Sequence, residues 1–142
     1  MPALAITSQP DGELLTLDEA KRHLRVYDDS FDDEITQLIR AARDYCERFT
    51  QRTLRTTVTR TLKQCMWWCH ELRLPWPPLL AVSSVTYYDS DNALQTLASS
   101  NYSVETTTDG GGRIVWAQNA TVPSLYFRPD AVIVTFTTGY AD

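Results

Sequence analysis

Only two histidines, three cysteines and five glycines occur in this chain of 142 residues. Each scarcity excludes something. With His23 and His70 the only imidazoles, few nucleophile–base pairs can form. Cys65 and Cys69 stand close to His70, but successive residues of an extended chain point to opposite faces. Zinc needs four ligands, usually as two pairs, and a second pair is missing beyond Cys46 and His23. An odd cysteine count does not build a disulfide framework, so reduced, buried thiols are expected. The few glycines form neither GxxxxGK[ST] nor GxGxxG, and Gly110-Gly111-Gly112 falls where a strand–turn–strand pattern is expected, not before a helix. No apolar run nears the ~20 residues of a membrane span. Met1 to Pro10 lacks the basic start and apolar core of a secretion signal, so a soluble cytoplasmic product without membrane association is expected. Basic residues are also short, 13 against 18 acids, a net charge of −5. That balance opposes a sequence-independent grip on phosphate backbones. No cofactor, no metal and no enzyme activity is expected.

What is present is a core-forming composition, 43% hydrophobic and 11% aromatic. The chain divides into an N-terminal arm over 1–13, a helical hairpin over 14–53 and a β module over 54–142. Thr16-Leu17-Asp18-Glu19 forms a capping box. Leu17, Ala20 and Leu24 then recur at helical spacing up to an end near Val26. A second helix begins after Asp29 or Ser30, one of which is expected to cap it. Its apolar stripe is Phe31, Ile35, Leu38, Ile39, Ala42, Tyr45, Cys46 and Phe49. Two antiparallel helices cannot bury both stripes alone, so the hairpin needs a third element or a neighbouring subunit.

After Thr53 the period changes to two. Strands are expected over 56–63, with Leu54, Val58, Leu62 and Met66 on one face, and over 72–74, 82–89, 102–106, 113–116 and 131–137. Val132, Val134 and Phe136 share a face of the last strand, opposite Ile133. Trp76-Pro77-Pro78 is expected as a rigid extended connector. The fold class is α+β: an N-terminal antiparallel helical hairpin followed by a mainly antiparallel β module. Trp67, Trp68 and Trp76 crowd within ten residues, and a surface for a peptide or small ligand is one expectation for them.

The acidic stretch Val26-Tyr27-Asp28-Asp29-Ser30-Phe31-Asp32-Asp33-Glu34 invites a calcium reading. Asp28, Ser30 and Asp32 fit positions 1, 3 and 5 of an EF-hand loop. Position 6 should be Gly and is Asp33; position 12 should be Glu and is Ile39. Helix capping and the helix dipole account for most of these acids, and Asp28 is left without a structural role.

Leu14-Leu15-Thr16-Leu17-Asp18-Glu19-Ala20-Lys21, His23-Leu24-Arg25-Val26, Asp32-Asp33 and Ile35 resemble the start of the head–tail connector (adaptor) proteins of long-tailed bacteriophages and gene transfer agents. The resemblance continues through Leu38-Ile39, Ala41-Ala42-Arg43, Tyr45, Glu47, Thr50 and Arg52. It extends through Leu74-Pro75, Pro77-Pro78, Val82, Val85-Thr86-Tyr87-Tyr88-Asp89 and Tyr102-Ser103-Val104 to Val134, Phe136, Gly139 and Tyr140. Two departures stand out. Gln51 occupies a position that is usually Gly in the family, and members commonly continue past the Gly-Tyr with one or two further helices.

The resemblance implies a structural virion protein of the neck, present in the host cytoplasm during assembly. It implies a homo-oligomeric ring, typically of twelve copies, beneath the portal protein. Such a ring extends the DNA channel without sequence-specific binding and docks the head-completion stopper or the tail proteins. On that basis Arg40, Arg43 and Glu47 are candidates for the subunit interface. Asp28, Asp29, Asp32 and Asp33 are candidates for the channel wall. Asp109, Gly110, Gly111 and Gly112, with Gly139, Tyr140, Ala141 and Asp142, are candidate contacts with axial partners. A tail-completion or head-closure protein is the alternative within a virion.

Overall fold

Short alternating segments separated by turn residues dominate the chain after residue 57, and they form antiparallel ladders. The computed structural model describes residues 3–9, 12–55 and 57–140. The elements run β1 (Ala3–Ser8), α1 (Leu17–Leu24), α2 (Asp32–Thr50), β2 (Val58–Gln64), β3 (Glu71–Leu74), β4 (Leu79–Tyr88), β5 (Leu94–Thr96), β6 (Tyr102–Thr106), β7 (Gly112–Trp116) and β8 (Val132–Thr138). A 3-10 turn over Ser99–Asn101 leads into β6. Five strands form one sheet in the order β1-β2-β8-β4-β5, and three form a second in the order β3-β7-β6. Every pairing is antiparallel.

The two inner sheet faces share one core. Leu62, Leu79, Val85, Val132, Val134 and Phe136 come from the larger sheet, Leu74 and Ile114 from the smaller, and Trp68 and Leu97 close it. The alternation expected of β8 holds, with Val132, Val134 and Phe136 fully buried. On β2 the inward positions are Val58, Arg60 and Leu62, whereas Met66 lies exposed beyond the strand. Thr56, expected at the start of this strand, lies outside the described residues.

Both helices start as their sequences dictate. Thr16 and Glu19 make the reciprocal capping box, and α1 ends at Arg25 in the left-handed conformation. Helix α2 carries Asp32, Asp33 and Glu34 in its first turn, where carboxylates complement the dipole. Its end is Gln51, held at φ 54°, ψ 34°. The Gln51 amide N–H donates to the Glu47 carbonyl, and its side-chain Nε2 donates to the Arg48 carbonyl at 2.7 Å.

Several expectations need correction. Residues 3–8 form an edge strand; their alternation is uncharged on both faces and carries no amphipathic signal. Strand β5 is only three residues long and equally cryptic. The connector at Trp76 is a turn and not an extended spacer, because Trp76 adopts φ 66°. The N-cap of α2 is Phe31, which makes no side-chain cap; the Asp29 backbone carbonyl accepts from Asp32 N–H instead. All three cysteines are exposed, so none serves as a buried thiol.

Candidate functional site: assembly surfaces

The tryptophan cluster is not a binding surface. Trp68 is buried, with Trp67 and Trp116 packed against the same core. Trp68 stacks on Trp116 at 4.7 Å, and the Trp67 ring meets both edge-on. Trp67 Nε1 donates to the Pro123 carbonyl and Trp116 Nε1 to the Trp68 carbonyl. Trp76 lies under the Arg60 guanidinium, 4.5 Å from its ring centre. The single tryptophan surface expected from these residues is therefore not formed: the small core takes Trp67 and Trp68 for their area, and Trp76 stays half-buried apart from them.

The apolar surface that remains open belongs to the helices. Helix α2 buries Ile35, yet Leu38 is 65% exposed, Tyr45 70% and Phe49 79%. These three recur at 38, 45 and 49, with Ala42 between them, along one stripe. Tyr45 and Phe49 stack on each other. Between α1 and α2 runs an open groove of about 510 Å³, walled by Leu15, Leu24, Ile35, Leu38 and Ile39, with His23 at its side. A long apolar stripe in water marks an interaction surface.

The expected interface residues divide. Arg40 projects with 62% of its side chain exposed and approaches Glu13 only to 4.0 Å. Arg43 is 7% exposed and engaged within the chain. Its Nε and NH2 donate to the two Glu13 carboxylate oxygens at 2.6 and 3.1 Å, and NH1 donates to Asp44 at 2.6 Å. Glu47 lies 3.5 Å from the same NH1 and accepts the Leu54 N–H at 2.9 Å. The Arg43 hydrogen bond holds the Glu13 carboxyl below its ordinary value, against the opposing effect of burial. Arg43 and Glu47 therefore clamp residue 13 and the chain after α2 onto the helix. Glu13 was missing from the sequence-based candidates because nothing local links it to a helix 30 residues away.

In the acidic turn, Lys21 Nζ sits between Asp29 and Asp32, 2.7 Å from each. Those two carboxylates raise the Lys21 pKa above its ordinary value. Asp28 does have a structural role. Its Oδ1 accepts the Ser30 N–H at 3.0 Å, an Asx turn that orders the entry to α2. Hydrogen bonds from Ser30 lower its pKa. Asp33 is exposed in the first turn of the helix.

The axial candidates collect at one end. Gly110 and Gly139 both meet Pro78: the Gly139 N–H donates to the Pro78 carbonyl at 2.9 Å, and a Cβ on Gly110 would stand 3.0 Å from Pro78 Cβ. The Leu79 N–H donates to the Gly110 carbonyl at 2.8 Å. A side chain at Gly112 would overlap Leu79, its Cβ only 2.8 Å from Leu79 Cβ. Arg52 donates to the Asp109 carbonyl, and Asp109 accepts from Thr107 and from the Gly111 N–H. The Tyr140 N–H donates to the Arg55 carbonyl, and its side chain is half exposed. Ala141 and Asp142 lie outside the described residues. Among the described residues no group of His, Cys, Asp and Glu is placed to hold a metal, and no helix is long and apolar enough to cross a membrane.

This architecture has known counterparts. The chain is similar to one from the neck of an empty gene transfer agent particle computed with C6 symmetry, at 23% identity and a TM-score of 0.76, over 96% of this chain and 71% of that one. It is similar to one from the virion of a native gene transfer agent particle, at 23% identity and a TM-score of 0.69, with the same coverage. A third, from the neck of a native particle computed with C12 symmetry, matches at 22% identity and a TM-score of 0.70, over 98% of this chain and 70% of that one. No curated protein matches the chain. The family model for phage gp6-like head-tail connector proteins matches residues 14–105, well over half the sequence. The chain belongs to the phage gp6-like head-tail connector protein family.

Proposed function

We propose that this head–tail connector works as a ring of identical copies in the neck of a virion, between portal protein and tail, assembled in the host cytoplasm. The observation that carries the reading is the uncovered apolar stripe of Leu38, Tyr45 and Phe49, which a single chain leaves in water. Neighbouring copies in a closed ring meet through two different surfaces, and exposed Arg40, on the opposite side of α2 from that stripe, is the accessible charged candidate for the second. Twelve copies is the stoichiometry we favour, by analogy with the twelvefold neck among the structural counterparts. Membership of a structural neck family implies a non-enzymatic role.

The function is then mechanical. The ring extends the DNA channel and offers its two ends to the portal and to the stopper or tail proteins. The end where Asp109–Gly112 and Gly139–Tyr140 meet Pro78 is our candidate for one axial contact. Asp28, Asp29, Asp32 and Asp33 are our candidates for the channel wall, where like charge keeps DNA from adhering. Lys21 offsets part of that charge, so Asp28 and Asp33 contribute most of it.

Mass photometry and electron microscopy of the purified chain, alone and with portal protein, test the reading. Rings in either preparation are expected. Monomers throughout, with no binding to portal, would refute it. Replacing Asp28 and Asp29 by Lys is expected to slow DNA ejection while rings persist; unchanged ejection would place the turn on the outer surface.

A further inference from the structure

At its β1 edge, the larger sheet leaves part of its core face uncovered. Leu4 pairs with Leu62 and Ile6 with Arg60, so Leu4 and Ile6 point to the side on which Leu62 and Arg60 are buried. Leu4 and Ile6 are nonetheless exposed, and they wall a groove of about 280 Å³ that runs between β1 and the C-terminal half of α2. Trp76 and Arg48 complete its sides. Along its outer edge β1 has no strand partner among the described residues, and Ala3–Ser8 contains neither a charge nor a proline to discourage one.

Arg60 lies at the base of this groove. Its residue is 3% exposed, and among the described residues its guanidinium donates only to hydroxyls: Nε to Thr138 and NH2 to Thr53, both at 3.2 Å. Among the described residues no carboxylate stands within ion-pairing distance of it. The two acids that line the groove are committed elsewhere. Asp44 bonds Arg43, and Glu47 bonds Arg43 and the Leu54 N–H. Glu47 still attracts Arg60 at longer range, but burial and the neighbouring charge of Arg55 push the Arg60 pKa down. Arg48, exposed on the rim, has no ion pair among the described residues either. A desolvated cation whose hydrogen bonds among the described residues go to neutral hydroxyls favours an incoming anion.

We infer that this groove is a docking site for an extended, acidic segment of another protein, which adds to the sheet along β1 and sets a carboxylate against Arg60 and Arg48. Strand addition supplies the main-chain hydrogen bonds, and alternate apolar side chains fill the space over Leu4, Ile6 and Trp76. The charge pattern selects a partner over a second copy. The acidic strand residues of this chain, Glu71 and Glu105, already pair with Arg73 and Arg113, and its acidic turn is folded around Lys21.

The test uses a fluorescein-labelled peptide of alternating Val and Glu, matched in length to β1, with a Val/Lys counterpart and a copy N-methylated on alternate amides. Fluorescence anisotropy with the purified chain is expected to show the Glu peptide binding at least tenfold more tightly than the Lys peptide, weakening with added salt, and lost on N-methylation. Arg48→Glu, at an exposed site that leaves folding intact, and Arg60→Met are each expected to weaken binding about tenfold or more, in line with loss of a charge-assisted contact. Absence of binding, equal binding of both charges, tolerance of N-methylation or indifference to Arg48→Glu would each overturn the inference. Self-association that the Glu peptide reverses would assign the groove to copies of this chain and overturn its assignment to a partner. None of these readouts depends on ring formation.

Discussion

Arg43→Ala removes the centre of a clamp that joins residue 13, α2 and the chain leading to β2. The side chains of Arg43, Glu13 and Glu47 are all largely screened from water, whereas Asp44 is half exposed. Truncation strands two partly buried carboxylates and opens a space where the guanidinium lay. Breaking a buried pair from one side costs about 3–5 kcal/mol, and the residual solvent access here places the expected loss near the lower bound, about 3 kcal/mol. With an m-value of about 2 kcal/mol/M, the urea midpoint falls by about 1.5 M at unchanged slope. Tryptophan fluorescence reports the transition, since the Trp67, Trp68 and Trp116 rings pack together beside the core. Glu13→Gln combined with Arg43→Met closes a double-mutant cycle in which the coupling should exceed about 1 kcal/mol. A midpoint within about 0.3 M of the parent, or losses that simply add, would refute the clamp and return Arg43 to the pool of intersubunit contacts.

Other outcomes follow from the same geometry. Because the Glu13 pKa is lowered in the folded chain, its stabilisation is fully present above the ordinary value of 4.5 and is lost as pH falls through the folded value. Acid titration of Glu13→Gln should therefore show a shallower loss of stability below pH 4.5 than the parent, and parallel curves would count against the pair. Arg40→Glu should leave the stability within about 0.5 kcal/mol of the parent, as for most surface changes, while mass photometry reads its effect on ring formation. An unaffected ring would remove Arg40 from the interface. Gln51→Gly should stabilise by about 0.5–1 kcal/mol, because a left-handed C-cap disfavours a side chain while the lost Nε2 bond to Arg48 offsets part of the gain. A destabilised Gln51→Gly variant would show that the side-chain bond outweighs the conformational relief.

Features set by residues close in sequence were legible; features set by distant partners or by the whole fold were not. The capping box at Thr16 and the alternation of Val132, Val134 and Phe136 each rest on residues within a few positions of one another, and both form as expected. Strand β1 carries no such pattern, since an edge strand exposed on both faces needs no alternation. The inward turn of the tryptophans depends on how much area two small sheets must cover, a property of the whole fold. Arg43 and Arg60 mislead for a related reason. Arg43 falls on the polar face of α2, and Arg60 interrupts the apolar face of β2 between Val58 and Leu62, yet each is buried with a partner far along the chain, Glu13 in one case and Thr138 in the other.

The open stripe on α2 was legible for the opposite reason. Its residues follow helical period so regularly that the sequence implies a covering partner, and the single chain leaves Leu38, Tyr45 and Phe49 uncovered. A monomer selected only for its own stability would gain by replacing Leu38, Tyr45 and Phe49 with polar helix formers. Their presence makes sense when the covered state is the working state. The clamp of Arg43 and Glu47 then has a second consequence. It fixes α2 to the sheet module from the far side of the helix, so that the apolar stripe is held outward at a set angle and not free to fold back. Loosening the clamp by Arg43→Ala should therefore lower assembly even in the fraction that remains folded. Sedimentation velocity at a urea concentration where both parent and variant are fully native separates that effect from unfolding. Equal assembly of the two under those conditions would show that the stripe needs no fixed orientation to find its partner.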